Sequence, residues 1–520
     1  MKPSDELHRL IRELDKNEKG YFKKHCSRSG DVDRKYLALF NAIAGQKKYD
    51  EAALKKKLRD KSLVRNFASE KNYLHHLLLE SLVAAGRAQR KRAGMELLLG
   101  KARVLAERSF YNEALKLIRK VREYAAEAEQ FELQLAALHE EWQVWPFCDK
   151  EKRRPAEIIS TERREVLARL ALTDGMRTRY TQIHELFRTL GVGRSEAQVK
   201  RFTKVFTAAQ REAKQALTAT AQLYFHNLCT FYYNVAGDYQ ASYASSRRLI
   251  ALFDGHPRIL ENFQSMFISA VNNHVLLELH HEKYAEAENS LARIESIRPL
   301  TQRDRNSVFV CRYNSRMDIF LKTLRIPEAY KVTLGLREEL PAYEKRIPNR
   351  FTGHIQYWAF KSCFYSGRCK EALWWLNRLA SARSEDPFPP EVVAVARLSE
   401  LIVHDALGND DLLESLLSSA RRFLDKNSAL YIFEELLLRC FEAHLREPAS
   451  KKPFKQLLGE MQKQDEGFEQ RLLAYFDFDC WAESRATGRS LKELLEKKHR
   501  KKTGASKNHG DTEVTEKKYG

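Results

Sequence analysis

A short device returns along this chain at a nearly constant interval, and that recurrence limits the available folds more than any other feature. In residues 283–299 a tight turn at Lys283 and Tyr284 leads into Ala285, Glu286 and Ala287. Leu291 and Ile294 follow at helical spacing, and Pro299 marks the stop. Residues 110–114 read F-Y-N-E-A, 193–197 G-R-S-E-A, 237–242 G-D-Y-Q-A-S, 326–329 I-P-E-A, 367–372 G-R-C-K-E-A and 408–413 G-N-D-D-L-L. Anchoring each copy on its small or apolar residue gives Ala114, Ala197, Ser242, Ala287, Ala329, Ala372 and Leu413. From Ala197 onward the spacings are 45, 45, 42, 43 and 41 residues. A period of this length is what stacked helical hairpins produce, because each hairpin buries its apolar face only against its neighbours.

The expected fold is therefore all-α: a right-handed α-solenoid of about eight or nine helical hairpins with an N-terminal helical cap domain. Stacking also explains how 520 residues fold without one compact core, since single cores stop growing at about 250–300 residues. The chain is expected to divide into a basic helical region at 1–92, repeats over 93–465, a capping helix at 466–487 and a basic, mostly disordered tail at 488–520. Asp174 and Gly175 read as a turn within the repeats, and Ser4 and Asp50 as helix N-caps.

The G-x-Y-x-E-A turn, the small residue that admits a close helix approach and the closing proline resemble the tetratricopeptide repeat superfamily over roughly residues 95–465. The family repeat is about 34 residues long, so each helix here is expected to be a turn or so longer. The resemblance implies a superhelix whose first helices face a concave groove.

Charge separates the ends from the middle. The formal net charge is +20. Residues 1–92 hold 23 Lys+Arg against 12 Asp+Glu, and residues 485–520 hold 11 against 5. The 392 residues between carry only 20 − 11 − 6 = +3. A groove that tracked nucleic acid along its length would need a basic middle, so nucleic acid is expected, if anywhere, at the basic N-terminal region or the tail.

Chemistry is sparse. There is no HExxH, no Walker motif, no dinucleotide fingerprint and no nucleophile elbow. The eight cysteines are scattered without metal-ligand spacing, and no apolar run reaches the length of a membrane span. The chain is read as a cytoplasmic, non-enzymatic protein with no metal or cofactor.

One pattern does suggest a site. Counting fifteen residues back from the anchors gives Asn227, Asn272 and Asn314 in three consecutive repeats, and Tyr357 in the next. Tyr224 and Phe231 lie one turn either side of Asn227. An asparagine can donate to one peptide group and accept from another, and aromatic neighbours supply contact area. These six residues are the expected peptide-binding surface of the groove. The alternative is that the asparagines bond between neighbouring helices. The expected function is a scaffold or adaptor binding a protein or peptide. Two other readings remain open: a transcription regulator with DNA-contacting N-terminal helices and ligand-sensing repeats, and a helical-repeat RNA binder.

Overall fold

The computed structural model describes residues 5–14, 16–28, 31–58, 61–89, 91–191, 195–215, 218–344, 346–380, 388–427, 431–463 and 475–509. Among them regular structure is helical throughout, with no strand. No described helix is long and apolar enough to cross a membrane. The chain divides into two compact units, residues 1–164 and 165–520, and the division falls inside one long helix.

The first unit contains α1 (Glu6–Glu13), α2 (Lys16–Arg28), α3 (Asp31–Ala44), α4 (Glu51–Lys57), α5 (Lys61–Arg65), α6 (Phe67–Gln89), α7 (Lys91–Glu107), α8 (Tyr111–Glu127) and α9 (Phe131–Val144). α1 to α6 share one apolar core built on Ile11, Phe22, Phe40, Ile43, Leu74 and Leu78. A separate core under α7 to α9 contains Ala102, Ala114, Leu115, Ile118 and Val121. Asp50 caps α4 by accepting from the Ala53 amide at 2.9 Å, as the sequence suggests, whereas Ser4 lies outside the described residues. Glu141, 1% exposed, is held by Arg154 at 2.8 Å, and Glu162 by Arg122 at 3.0 Å.

The division lies in α10 (Ala156–Leu190). This 35-residue helix corrects the sequence reading: it runs unbroken through Asp174 and Gly175. A glycine inside a helix costs only about 1 kcal/mol, too little by itself to stop a helix of this length.

The second unit continues with α11 (Glu196–Glu212), α12 (Ala219–Ala236), α13 (Tyr239–Gly255), the single turn α14 (Pro257–Leu260), α15 (Gln264–His280) and α16 (Tyr284–Ser296). Next come α17 (Gln302–Lys322), α18 (Ile326–Tyr343), α19 (Asn349–Tyr365), α20 (Cys369–Ala380), α21 (Pro390–Ala406) and α22 (Asp410–Lys426). The last are α23 (Ile432–Arg446), α24 (Lys452–Gln462), α25 (Phe478–Thr487) and α26 (Leu491–His509).

The periodic device is a helix-ending turn. Gly237, Glu282, Leu324, Gly367 and Gly408 all take positive φ, between 56° and 84°, and they stand five residues before the anchors. In each turn the next amide donates to the carbonyl five residues back: Asp238 to Tyr233 at 2.9 Å, Lys283 to Glu278 at 2.8 Å, Arg325 to Phe320 at 2.8 Å, Arg368 to Cys363 at 2.9 Å and Asn409 to His404 at 3.0 Å. That bond satisfies a carbonyl the helix end would otherwise leave open. Ser242, Ala287, Ala329 and Ala372 are then fully buried at 0% exposure, and Leu413 is 1% exposed. Ala197 departs from the pattern: it lies exposed on α11.

The C-terminal region carries a longer helix than the short one, residues 490–499, that the sequence places at the start of the basic tail. Residues 464–474, which include the start of the expected capping helix, lie outside the described residues, as do 510–520. Residues 491–509 form α26. Leu494 and Leu495 of α26 are buried with Cys480 against Leu324 and Tyr365. Three apolar side chains at helical spacing (Leu491, Leu494, Leu495) are enough to seat a helix whose overall composition is polar and basic.

Candidate functional site

The first helices of successive hairpins bond to one another through polar side chains. Asn272 Oδ1 on α15 accepts from Asn314 Nδ2 at 3.2 Å and from Ser315 Oγ at 3.1 Å, both on α17. Asn314 Oδ1 accepts from the Trp358 indole on α19 at 3.0 Å. Trp358 belongs to a stripe of α19, His354, Trp358, Lys361 and Tyr365, whose 4, 3, 4 spacing puts all four on one helix face.

That stripe holds a non-helical piece of the same chain, Tyr475, Phe476 and Asp477, more than a hundred positions later. The Tyr475 hydroxyl and His354 Nε2 are 3.0 Å apart. The Tyr475 ring stacks on His354 at 5.8 Å and on Trp358 at 5.9 Å. Phe476 is buried against Phe364 and Tyr365, with ring centroids 5.7 Å from each. Asp477 receives the Lys361 ammonium at 3.1 Å, the Tyr365 hydroxyl at 2.6 Å and the Lys498 ammonium of α26 at 3.0 Å.

Electrostatics follow from this packing. Burial alone would raise the Asp477 carboxyl. Lys361, Lys498 and the Tyr365 hydroxyl outweigh it and hold the group far below the usual carboxylate range. Burial, then the neighbouring Asp477 charge, pushes the Tyr365 phenol well up. Burial lowers Lys498, but Asp477 and Asp479 more than compensate and raise it. Burial brings His354 down to about 4, only partly opposed by Asp318. His354 is thus neutral near pH 7 and available to accept the Tyr475 proton.

The six residues expected on the groove separate in the structure. Tyr224, Asn227 and Tyr357 are buried, and therefore not on an open surface. Tyr224 lies in the core with Tyr180 and Phe263 at centroid distances of 5.5 and 6.0 Å. Phe231 meets His184 and Phe187 edge-on at 4.2 and 5.6 Å. The Tyr357 hydroxyl lies 2.9 Å from Ser399 Oγ on α21, and burial pushes its phenol up. Asn272 and Asn314 are half-buried and bonded to each other, the inter-helix arrangement given as the alternative above. Asn314 joins the α19 stripe directly through Trp358, Asn272 joins it through Asn314, and the Tyr357 ring lies 5.8 Å from Trp358. Among the described residues no group of three or more His, Cys, Asp or Glu is placed to hold a metal ion.

Sequence reasoning missed Trp358, Tyr475 and Asp477. Trp358 lies fourteen residues before Ala372 and Asn314 fifteen before Ala329, so a strict count selected Tyr357, one position and about 100° around the helix. Nothing local to residues 475–477 points to a partner on α19.

Comparison with protein-family models, curated proteins and solved structures returns no match.

Proposed function

We propose that this chain is a non-enzymatic scaffold of tetratricopeptide-like helical repeats, a right-handed α-solenoid that holds a protein or peptide partner on its first helices. The observation that carries the reading is the α19 stripe holding Tyr475, Phe476 and Asp477. One helix face there binds a non-helical stretch of chain with an aromatic stack, a buried phenylalanine and an ion pair. These are the ingredients of a peptide-recognition surface: an apolar anchor surrounded by oriented polar groups. The periodic turns at Gly237, Glu282, Leu324, Gly367 and Gly408 support the repeat architecture.

A cytoplasmic setting belongs to the same reading. Burial pushes the Cys229, Cys311, Cys363, Cys440 and Cys480 thiols up to about 12. Buried thiols with so little thiolate character suit a reducing compartment.

The test is affinity capture from host lysate with the full chain and with Trp358→Ala, each checked by thermal melt. The reading expects a protein partner that the parent retains and the folded variant loses, and that resists nuclease treatment. A nuclease-sensitive partner, or capture that ignores Trp358, would refute it.

A further inference from the structure

The α19 stripe is covered by a segment of the chain whose neighbours touch it, through Phe478 and Lys498, but are also held at other points. α25, which follows Asp477, meets the segment where Phe478 lies 5.0 Å from Phe476, and it has further fastenings elsewhere. Phe478 packs edge-on against Phe433 at 4.9 Å, Trp481 stacks with Phe441 at 5.5 Å, and Arg485 pairs with Asp405 at 2.9 Å. Tyr475 itself is only half-buried. The stretch can therefore leave α19 while α25 keeps its place. What it would uncover is specific. His354 Nε2 loses its hydroxyl partner, Trp358 a stacked ring and Lys361 its carboxylate, while the Phe364 and Tyr365 rings lose Phe476. An aromatic platform with two cations, Lys361 and Lys498, at its far end fits a ligand with two aromatic side chains followed by an acid.

We propose that Tyr475, Phe476 and Asp477 are an internal ligand, and that the α19 surface they occupy is a docking site for a linear peptide of aromatic–aromatic–aspartate chemistry on a separate protein. The incoming peptide displaces the internal copy. Its first ring lies between His354 and Trp358, its second takes the place of Phe476, and its carboxylate pairs with Lys361. Affinity in trans is set by competition, since the tethered copy is present at high effective concentration. The proposal rests on the scaffold reading and names the partner's chemistry.

The test uses the full chain and a fluorescein-labelled peptide, Tyr-Phe-Asp-Phe-Asp, which reproduces residues 475–479. Binding is read by anisotropy and displacement by hydrogen exchange. Saturating peptide should speed amide exchange several-fold at 475–479 while α19 stays protected. The Tyr-Phe-Asn-Phe-Asp peptide should bind at least tenfold more weakly, because it brings no charge to Lys361. The Tyr475→Ala chain, whose internal copy lacks the stack and the His354 bond, should bind the labelled peptide several-fold more tightly than the parent. Absence of binding at millimolar peptide, or binding that leaves exchange at 475–479 unchanged, would overturn the assignment. So would equal affinity of the parent and Tyr475→Ala. A dimer dissociated by the peptide would also overturn it, by assigning the surface to a second copy's own C-terminal segment. If the peptide fails while a protein partner is still lost on Trp358→Ala, the internal-ligand assignment falls and the scaffold reading stands.

Discussion

Gly191 and Glu391 are two hundred residues apart in sequence and meet in space: a methyl group built on Gly191 would lie 2.8 Å from Glu391 Oε2. Gly191 ends α10 with φ of +64°, and Glu391 sits in the first turn of α21. The end of α10 is thereby brought against a helix eleven places later in the chain.

Gly191→Ala should be destabilising on two grounds. The left-handed backbone costs a residue with Cβ about 1–2 kcal/mol, and the methyl must move a buried carboxylate. Gly100, inside α7 with open space around it, is the contrast, since alanine there should stabilise by about 0.5–1 kcal/mol. Urea unfolding of both variants measures the difference, and equal effects would contradict the α10–α21 contact.

Removing the charge of Asp477 leaves the Lys361 ammonium without its carboxylate at a site where the two side chains are 24% and 11% exposed. Asp477→Asn should cost about 1.5–3 kcal/mol, the range for a hydrogen bond to a charged group. Lys361→Gln should cost a similar amount. The double variant should lose less than the sum, because each single change already breaks the pair. Additive losses in a urea-melt cycle would show the two charges to be uncoupled.

Acid should weaken the fold around α19 before carboxylates titrate. His354 falls from 6.5 to about 4, so between those values the unfolded chain binds the proton that the folded chain refuses. Its contribution to stability is complete above about pH 6.5 and falls as pH drops through this window. Half-buried His184 and His226, also near 4, act in the same direction. Loss of the Asp477 ion pair comes only at lower pH. His354→Gln keeps an acceptor for Tyr475 without the titration. Its melting temperature should fall less than the parent's between pH 7 and 5, and an identical slope would remove His354 from the account.

Ala287 and Ala372 are both fully buried at the opening of their helices. Leucine at either position should overpack the crossing and cost about 1–3 kcal/mol. A parent-like melt for Ala287→Leu would mean the crossing has room for a branched side chain.

Deleting residues 488–520 removes two buried leucines, at about 1.5–3 kcal/mol each by area withdrawn from water, and the Lys498 ammonium from Asp477 and Asp479. Composition alone would make this truncation silent. The packing of α26 makes it costly, and calorimetry of the truncated chain should show a lower melting temperature.

Much of the helical architecture is legible in the sequence because its determinants are local. The small anchors at Ala287, Ala329 and Ala372 record helix crossings, and Gly237, Gly367 and Gly408 record left-handed turns. Glu282 and Leu324 adopt the same backbone without a glycine, since the hydrogen bonds of the turn impose it. The site was less legible. Its platform lies one residue out of register with a strict count, and its other half arrives from residues 475–477 with no periodicity to announce it. The Asp174–Gly175 pair shows the reverse error, a local turn signal overridden by the helix on either side.

Helix α26 touches the turn ends of three consecutive hairpins. Cys480, Leu494 and Leu495 pack with Tyr365 at the end of α19 and with Leu324 between α17 and α18, and the His499 ring lies 6.2 Å from that of Tyr284, which opens α16. Where helical hairpins touch only their neighbours, small rotations accumulate and the array flexes like a spring. A rigid helix laid across three successive ends acts as a splint. By packing against all three ends, it links these hairpins beyond the contacts that each makes with its neighbour.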